Sequence, residues 1–193
     1  MVIYHWLYPF KLLAWRDGDR NLALLPRTPH QHINTVMKKV SVTWLILIQF
    51  VFAFEWLYSA FGKWMHPEFM TGITQTLTAF GTKSAFHTYG QFLLENVVPH
   101  AQLFGNMVRG GELAVGLSLA VCGIIVLLIK RLPSSLSIIS AITFFTAAFM
   151  NLNFFLASGW SSPSTWGINV LMFCIQIILG IFYIQQVHEN KTL

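Results

Sequence analysis

The sequence predicts an all-α integral membrane protein: a four-helix bundle with an N-terminal interfacial segment and an outer amphipathic lid between the first and second spans. Three observations predict it. Of the 193 residues, 55% are hydrophobic and only 10% charged, with 17 Phe and a mean hydropathy of +0.59, a balance foreign to soluble domains. Four apolar runs each reach the roughly 20 residues that a helix needs to cross the hydrocarbon core. The cations collect at Lys11, Arg16, Arg20, Arg27, Lys38 and Lys39, at Lys130-Arg131 and at Lys191, which are the segments that the positive-inside rule leaves in the cytoplasm.

Taken in order, residues 1–39 form a cytoplasmic interfacial and juxtamembrane segment. No basic region precedes an apolar run and no small-residue cleavage site follows one, so a signal peptide is not expected. Met1 to Trp15 is aromatic, broken by Pro9 and too short to span, which suits a helix lying on the membrane surface. Arg16 to Asn34 is rich in Pro, His, Asn and charge and reads as an irregular linker. Residues 40–187 carry the spans, Val40 to Gly62, Ala101 to Ile129, Leu136 to Ala157 and Trp166 to Gln185, and residues 188–193 are a cytoplasmic tail. Both termini then lie inside. Only Lys130 to Ser135 separates spans two and three, so those helices are antiparallel neighbours. The connection between spans one and two places Phe69, Ile73, Leu77 and Phe80 at helical spacing and then Phe86, Tyr89, Phe92, Leu93 and Leu94, which reads as one or two amphipathic helices at the outer interface or as a partly buried reentrant loop.

Charge inside the spans is the functional signal. An ionised side chain at bilayer depth costs several kcal/mol unless it meets a partner or a wet cavity, which makes Glu112 in Arg109-Gly110-Gly111-Glu112 a candidate site residue. Arg109 and Glu112, three residues apart on one face, can also simply neutralise one another. At ~1.5 Å rise per residue, Glu55 and Glu112 fall at comparable depth, and Asn151 and Asn153 belong to the same outer half, above an inner half that reads as almost purely apolar. Asn151 and Asn153 point to opposite sides of their helix, so at most one of them faces Glu112. On this reading Glu55 and Glu112 are the catalytic candidates, sharing a proton in low dielectric, and Arg109 and Lys63 face an anion entering from outside. Trp56, Tyr58, Trp64 and Trp160 either line a slot for a flat ring such as a quinone or sit at the interface for packing reasons.

Other chemistries leave no trace. Cys122 and Cys174 stand singly in apolar helices and read as packing residues, and no pair of the seven His within a span has metal or haem spacing. No phosphate-binding loop, flavin motif or nucleophile–base pair is visible, and the net charge of +5 belongs to membrane topology, so no nucleic-acid partner is expected. Gly110, Gly111 and Gly116 read as close helix packing beside Glu112.

Three stretches resemble the DoxX family of small four-helix membrane proteins: Glu55-Trp56-Leu57-Tyr58-Ser59-Ala60-Phe61-Gly62-Lys63-Trp64, Gly111-Glu112-Leu113-Ala114-Val115-Gly116-Leu117-Ser118-Leu119, and Met150-Asn151-Leu152-Asn153-Phe154-Phe155-Leu156-Ala157-Ser158-Gly159. Their order and spacing cover residues 40–165, and the N-terminal extension lies outside the pattern. The resemblance implies a multi-pass protein of a prokaryotic plasma membrane. For the branch similar to the DoxD-type subunit of thiosulfate:quinone oxidoreductase, it implies transfer of electrons from a small sulfur anion to membrane quinone. It then implies quinone as substrate with Trp56, Tyr58 and Trp160 around it, Arg109, Lys63, Asn151 and Asn153 binding the anion, and Glu55 and Glu112 handling protons. The alternative is a non-catalytic subunit or assembly scaffold of a larger respiratory-type complex, and the partners compatible with the sequence are the bilayer, a second membrane or periplasmic subunit, and further copies of the chain. Topology is open to a direct check: a Cys introduced at Thr82, in a background lacking Cys122 and Cys174, should react with an impermeant thiol reagent added outside intact cells, and reaction only after the cytoplasm is opened would invert the orientation.

Overall fold

A computed structural model describes the backbone of residues 29–191 and the side chains of residues 43–188. Residues 39–193 form one compact unit. The expected interfacial segment from Met1 to Trp15 lies outside the described residues.

All described regular structure is helical. Helix α1 spans Pro29–Met65, α2 Glu68–Thr71, α3 Ile73–Lys83, α4 His87–Phe92, α5 Ala101–Ile129, α6 Ser134–Ser158 and α7 Pro163–Lys191. Within these, Thr43–Met65, His87–Ile129, Ser134–Ser161 and Pro163–His188 are long and apolar enough to cross a membrane, and the chain is an all-α, multi-pass membrane protein. Two boundaries differ from expectation. The first helix begins at Pro29, so the end of the supposed irregular linker is helical; proline fits a helical N1 position because the N–H it lacks would have no partner there. The last helix runs past Gln185 to Lys191, into the supposed tail.

The four long helices close around one core. Gly116 of α5 faces the Leu57 backbone of α1 and Gly123 faces the Phe50 ring, which sets these helices antiparallel with residues 57 and 50 opposite 116 and 123. The Phe144 ring of α6 meets Phe52 of α1 edge-on at 5.9 Å and stacks on Tyr183 of α7 at 5.8 Å. Gly180 of α7 lies against the Phe145 ring. Large apolar side chains such as Leu128, Val51 and Phe149 point outward, as they must where the surrounding solvent is lipid.

The hairpin half of the bundle is not purely apolar, contrary to the sequence reading. Gln49 is fully buried, donates from Nε2 to the Leu119 carbonyl at 2.6 Å and accepts from the Tyr183 hydroxyl, tying α1 to α5 and α7. Each of these groups would otherwise lose its hydrogen bonds to water without replacement. Ser137 and Ser140 are buried in the same half.

Between α1 and α5 the chain builds a lid. Helix α3 turns Ile73, Leu77 and Phe80 toward the bundle, while Thr78 and Thr82 are exposed and bond to their own backbone. Gly81 of α3 and Gly90 of α4 cross so closely that a Cβ on Gly90 would stand 2.5 Å from the Gly81 carbonyl oxygen. The Ser84 hydroxyl donates to the Leu156 carbonyl at 3.1 Å, which fastens the α3–α4 turn to α6. Helix α4 then runs through a π-helical turn at Leu93–Val97 and a 3-10 turn at Val98–His100 straight into α5. The second half of the connection is thus an extension of span two, with its irregular turns at Pro99, which has no N–H to offer an α-helical ladder.

Gly116→Ala tests the close approach of α1 and α5. The added methyl would sit 2.7 Å from Leu57 Cγ and 2.9 Å from its backbone nitrogen, so thermal unfolding in detergent should show a loss of ~1–3 kcal/mol, whereas Gly167→Ala, with nothing within 4 Å, should be neutral or slightly stabilising.

Candidate functional site

Beneath the lid lies a cavity of about 670 Å³, enclosed by α3, the π-helical turn and the lid ends of α1, α5 and α6. Its wall is mainly apolar and aromatic, with Phe69, Phe80, Phe104 and Phe154 among the lining residues. Thr76, Ser158 and Asn169 also line it, and two polar clusters tie its walls together.

The first is an ion pair. Lys63 Nζ donates to both oxygens of Glu112 at 2.8 Å and to the Ser59 hydroxyl at 2.7 Å. Local geometry dictates the reach: a helical side chain leans toward its own N-terminus, and Ser59 lies one turn before Lys63, so the ammonium is drawn down into the bundle instead of out to the interface. Glu112 is 1% exposed and Lys63 24%, so the carboxylate forms the floor and the ammonium the accessible side. Lys63 also passes 5.8 Å from the centre of the Phe69 ring. The second polar group joins the lid to α6: the Tyr89 hydroxyl donates to Asn153 Oδ1 at 3.0 Å, and Asn153 Nδ2 donates to the Phe149 carbonyl at 2.8 Å.

Several sequence assignments change. Arg109 does not pair with Glu112; its guanidinium lies 4.0 Å over the Trp64 ring and donates to Asn106 Oδ1 at 2.5 Å, outside the cavity wall. The antiparallel register explains this, because it carries Arg109 a turn beyond Glu112, level with Trp64. Glu55 is exposed and does not converge with Glu112. It stands one residue, about 100°, from Trp56, and Trp56 points into the core. Of the two asparagines only Asn153 lines the cavity; Asn151 is buried and donates to Gln176 Oε1 at 2.8 Å, where it joins α6 to α7. The expected ring slot is not formed by its four named residues, of which Trp64 lies under Arg109. Trp56 is core beside Phe154, Tyr58 is exposed and stacked on Phe54, and Trp160 donates to the Ala157 carbonyl at 2.7 Å under Lys83.

Sequence reasoning brought Lys63, Glu112 and Asn153 to one site but missed Ser59 and the polar use of Tyr89. The i, i+4 spacing of Ser59 and Lys63 was the available signal for the first. Nothing local marks Tyr89, whose partner lies 64 positions away. Among the described residues no group of three His, Cys, Asp or Glu is arranged to hold a metal ion. Comparison of the chain with protein-family models, curated proteins and solved structures gives no match.

The pairing predicts an energetic signature. Lys63→Met leaves a buried carboxylate without its cation and should cost ~3–5 kcal/mol in detergent unfolding, while the double variant Lys63→Met with Glu112→Gln should recover most of that loss. Arg109→Met, which removes only a partly exposed cation–π contact, should cost ~1 kcal/mol or less and show no coupling to Glu112.

Proposed function

We propose that the chain is a membrane redox protein of the DoxD type, which binds a membrane quinone in the cavity under the lid and reduces it with electrons drawn from a small sulfur anion. The observation that carries the reading is an ion pair opening onto a mainly apolar, aromatic cavity of about 670 Å³. Such a volume suits a small organic ring, and a site of this kind fixes a ligand through a few polar groups in an apolar wall. A quinone is neutral and flat, and its carbonyl oxygens accept hydrogen bonds. Lys63 at one side of the cavity and Tyr89 at another become donors for them when they exchange their bonds to Ser59 and Asn153 for the ligand.

Reduction of the quinone consumes two electrons and two protons and yields the quinol. Lys63 carries a proton next to the acceptor oxygen and passes it to the reduced quinone. Glu112 and Ser59, hydrogen-bonded to Lys63, hold it in place, and solvent supplies the second proton and restores the one Lys63 gives up. The electrons come from oxidation of the sulfur anion, two thiosulfates joining as tetrathionate, either in direct contact with the quinone or through a partner subunit. The charges of Lys63 and Glu112 cancel, so the cavity offers a dianion no net attraction. Arg109, with its guanidinium on Trp64 at the lid end, is the better place for the anion.

One observation favours the alternative of a non-catalytic membrane subunit. All three N–H groups of Lys63 are already engaged, which also describes a lock between α1 and α5. The two readings separate in one assay. Purified protein supplied with thiosulfate should reduce a soluble quinone analogue, and the folded double variant Lys63→Met with Glu112→Gln should lose at least ~100-fold of that rate, the lower end of what positioned proton transfer contributes. Absence of turnover in the unaltered protein, together with unchanged co-purification of a partner by the double variant, would establish the subunit reading instead.

A further inference from the structure

Helix α1 carries a second intramembrane carboxylate that the cavity does not use. Glu55 lies within the apolar run of the first span, ~12 Å by helical rise from Lys63, and it is exposed with no hydrogen-bond or ion-pair partner among the described residues. In hydrocarbon that position costs ~2.5–3.5 kcal/mol even by the lowest scales, so a polar partner from outside the bundle is required.

The neighbouring side chains define that partner. Val51, Glu55, Tyr58 and Gly62 recur every three or four residues and form one stripe. Val51 is 67% and Tyr58 70% exposed, and a Cβ on Gly62 would meet nothing within 4 Å, so another helix can approach the backbone closely there. The Tyr58 ring stacks on Phe54 at 5.9 Å with 22° between planes. A helical side chain leans toward the start of its own helix, so the Tyr58 hydroxyl is carried from its own Cα toward the level of Glu55. An acceptor and a donor thus share one outward stripe at one depth, without bonding to each other within the chain. Two copies inserted the same way and related by a two-fold axis along the membrane normal bring each donor to the other's acceptor. This is the self-complementarity an isologous contact needs.

We infer that the outward stripe of α1 is a homodimer interface in the membrane, in which Glu55 of each protomer accepts a hydrogen bond from the partner's Tyr58. The contact uses no residue of the cavity, so it stands whether or not the protein reduces quinone.

The test uses the full chain in phospholipid vesicles, in a background with Cys122→Ala and Cys174→Ala. A single Cys at Val51 should cross-link two copies on mild oxidation, whereas one at Ile142, equally outward on α6, should not. Förster transfer between labelled copies should show Tyr58→Phe and Glu55→Leu each weakening association about five- to tenfold, the loss of two membrane hydrogen bonds per dimer. Glu55→Leu removes a charge from lipid if the stripe is merely lipid-facing, and association would then stay unchanged. That result overturns the inference, as does cross-linking through Ile142, absence of a Val51 cross-link, or capture by the Val51 cysteine of a different polypeptide in native membranes.

Discussion

A charge inside hydrocarbon has to be matched, and the match between Lys63 and Glu112 is the constraint around which the lid end of this protein is arranged. The carboxylate is buried in α5, and among the described residues the cation that pairs with it comes from α1. For Lys63 to do so, α1 and α5 must lie close, and Gly116 against the Leu57 backbone allows that approach. The lysine must also point down its helix, and Ser59 holds it there. Because the ammonium is pulled inward, the space it would have filled beneath the lid is left to the cavity.

Further polar ties fix the other helix pairs in the same way. A hydrogen bond between side chains is directional, so it selects one register where apolar surfaces alone would slide. Gln49 registers α1 against α5 and α7, Asn151 and Gln176 register α6 against α7, and the Tyr89–Asn153 bond registers the lid against α6. The lid closes over the bundle because Gly81 and Gly90 let two short helices touch through their backbones. Its Ile73, Leu77 and Phe80 are then spent on the cavity wall, while Phe86 stays exposed.

These features suit a neutral ligand better than a charged one. The ion pair contributes donors and acceptors without net charge, and the aromatic wall contributes area. Glu55 belongs to a different problem. It is placed on the outer surface of α1, and no group among the described residues bonds to it.

What was legible in the sequence by itself followed from one-dimensional properties. Length and hydropathy of the runs determine the four spans, and α5 begins and ends at Ala101 and Ile129 as read, because a membrane helix is defined by how much apolar chain crosses the hydrocarbon. The 200° between Asn151 and Asn153 likewise sufficed to say that only one of them could share a site with Glu112. The tertiary structure alone decided which residues meet. Arg109 and Glu112 are close along the chain, yet a charge pairs with whatever neighbouring helix presents, and the register set by Gly116 presents Lys63. Helical rise counted from the span ends puts Glu55 and Glu112 in one layer, but the register of α1 against α5 sets Glu112 level with residue 61, ~9 Å from Glu55, and the rotation of α1, set by Trp56, Phe52 and Ala60 packing inward, turns Glu55 outward. Helix length is a property of a segment, whereas rotation and register are properties of the interface between segments, and no stretch of sequence contains an interface.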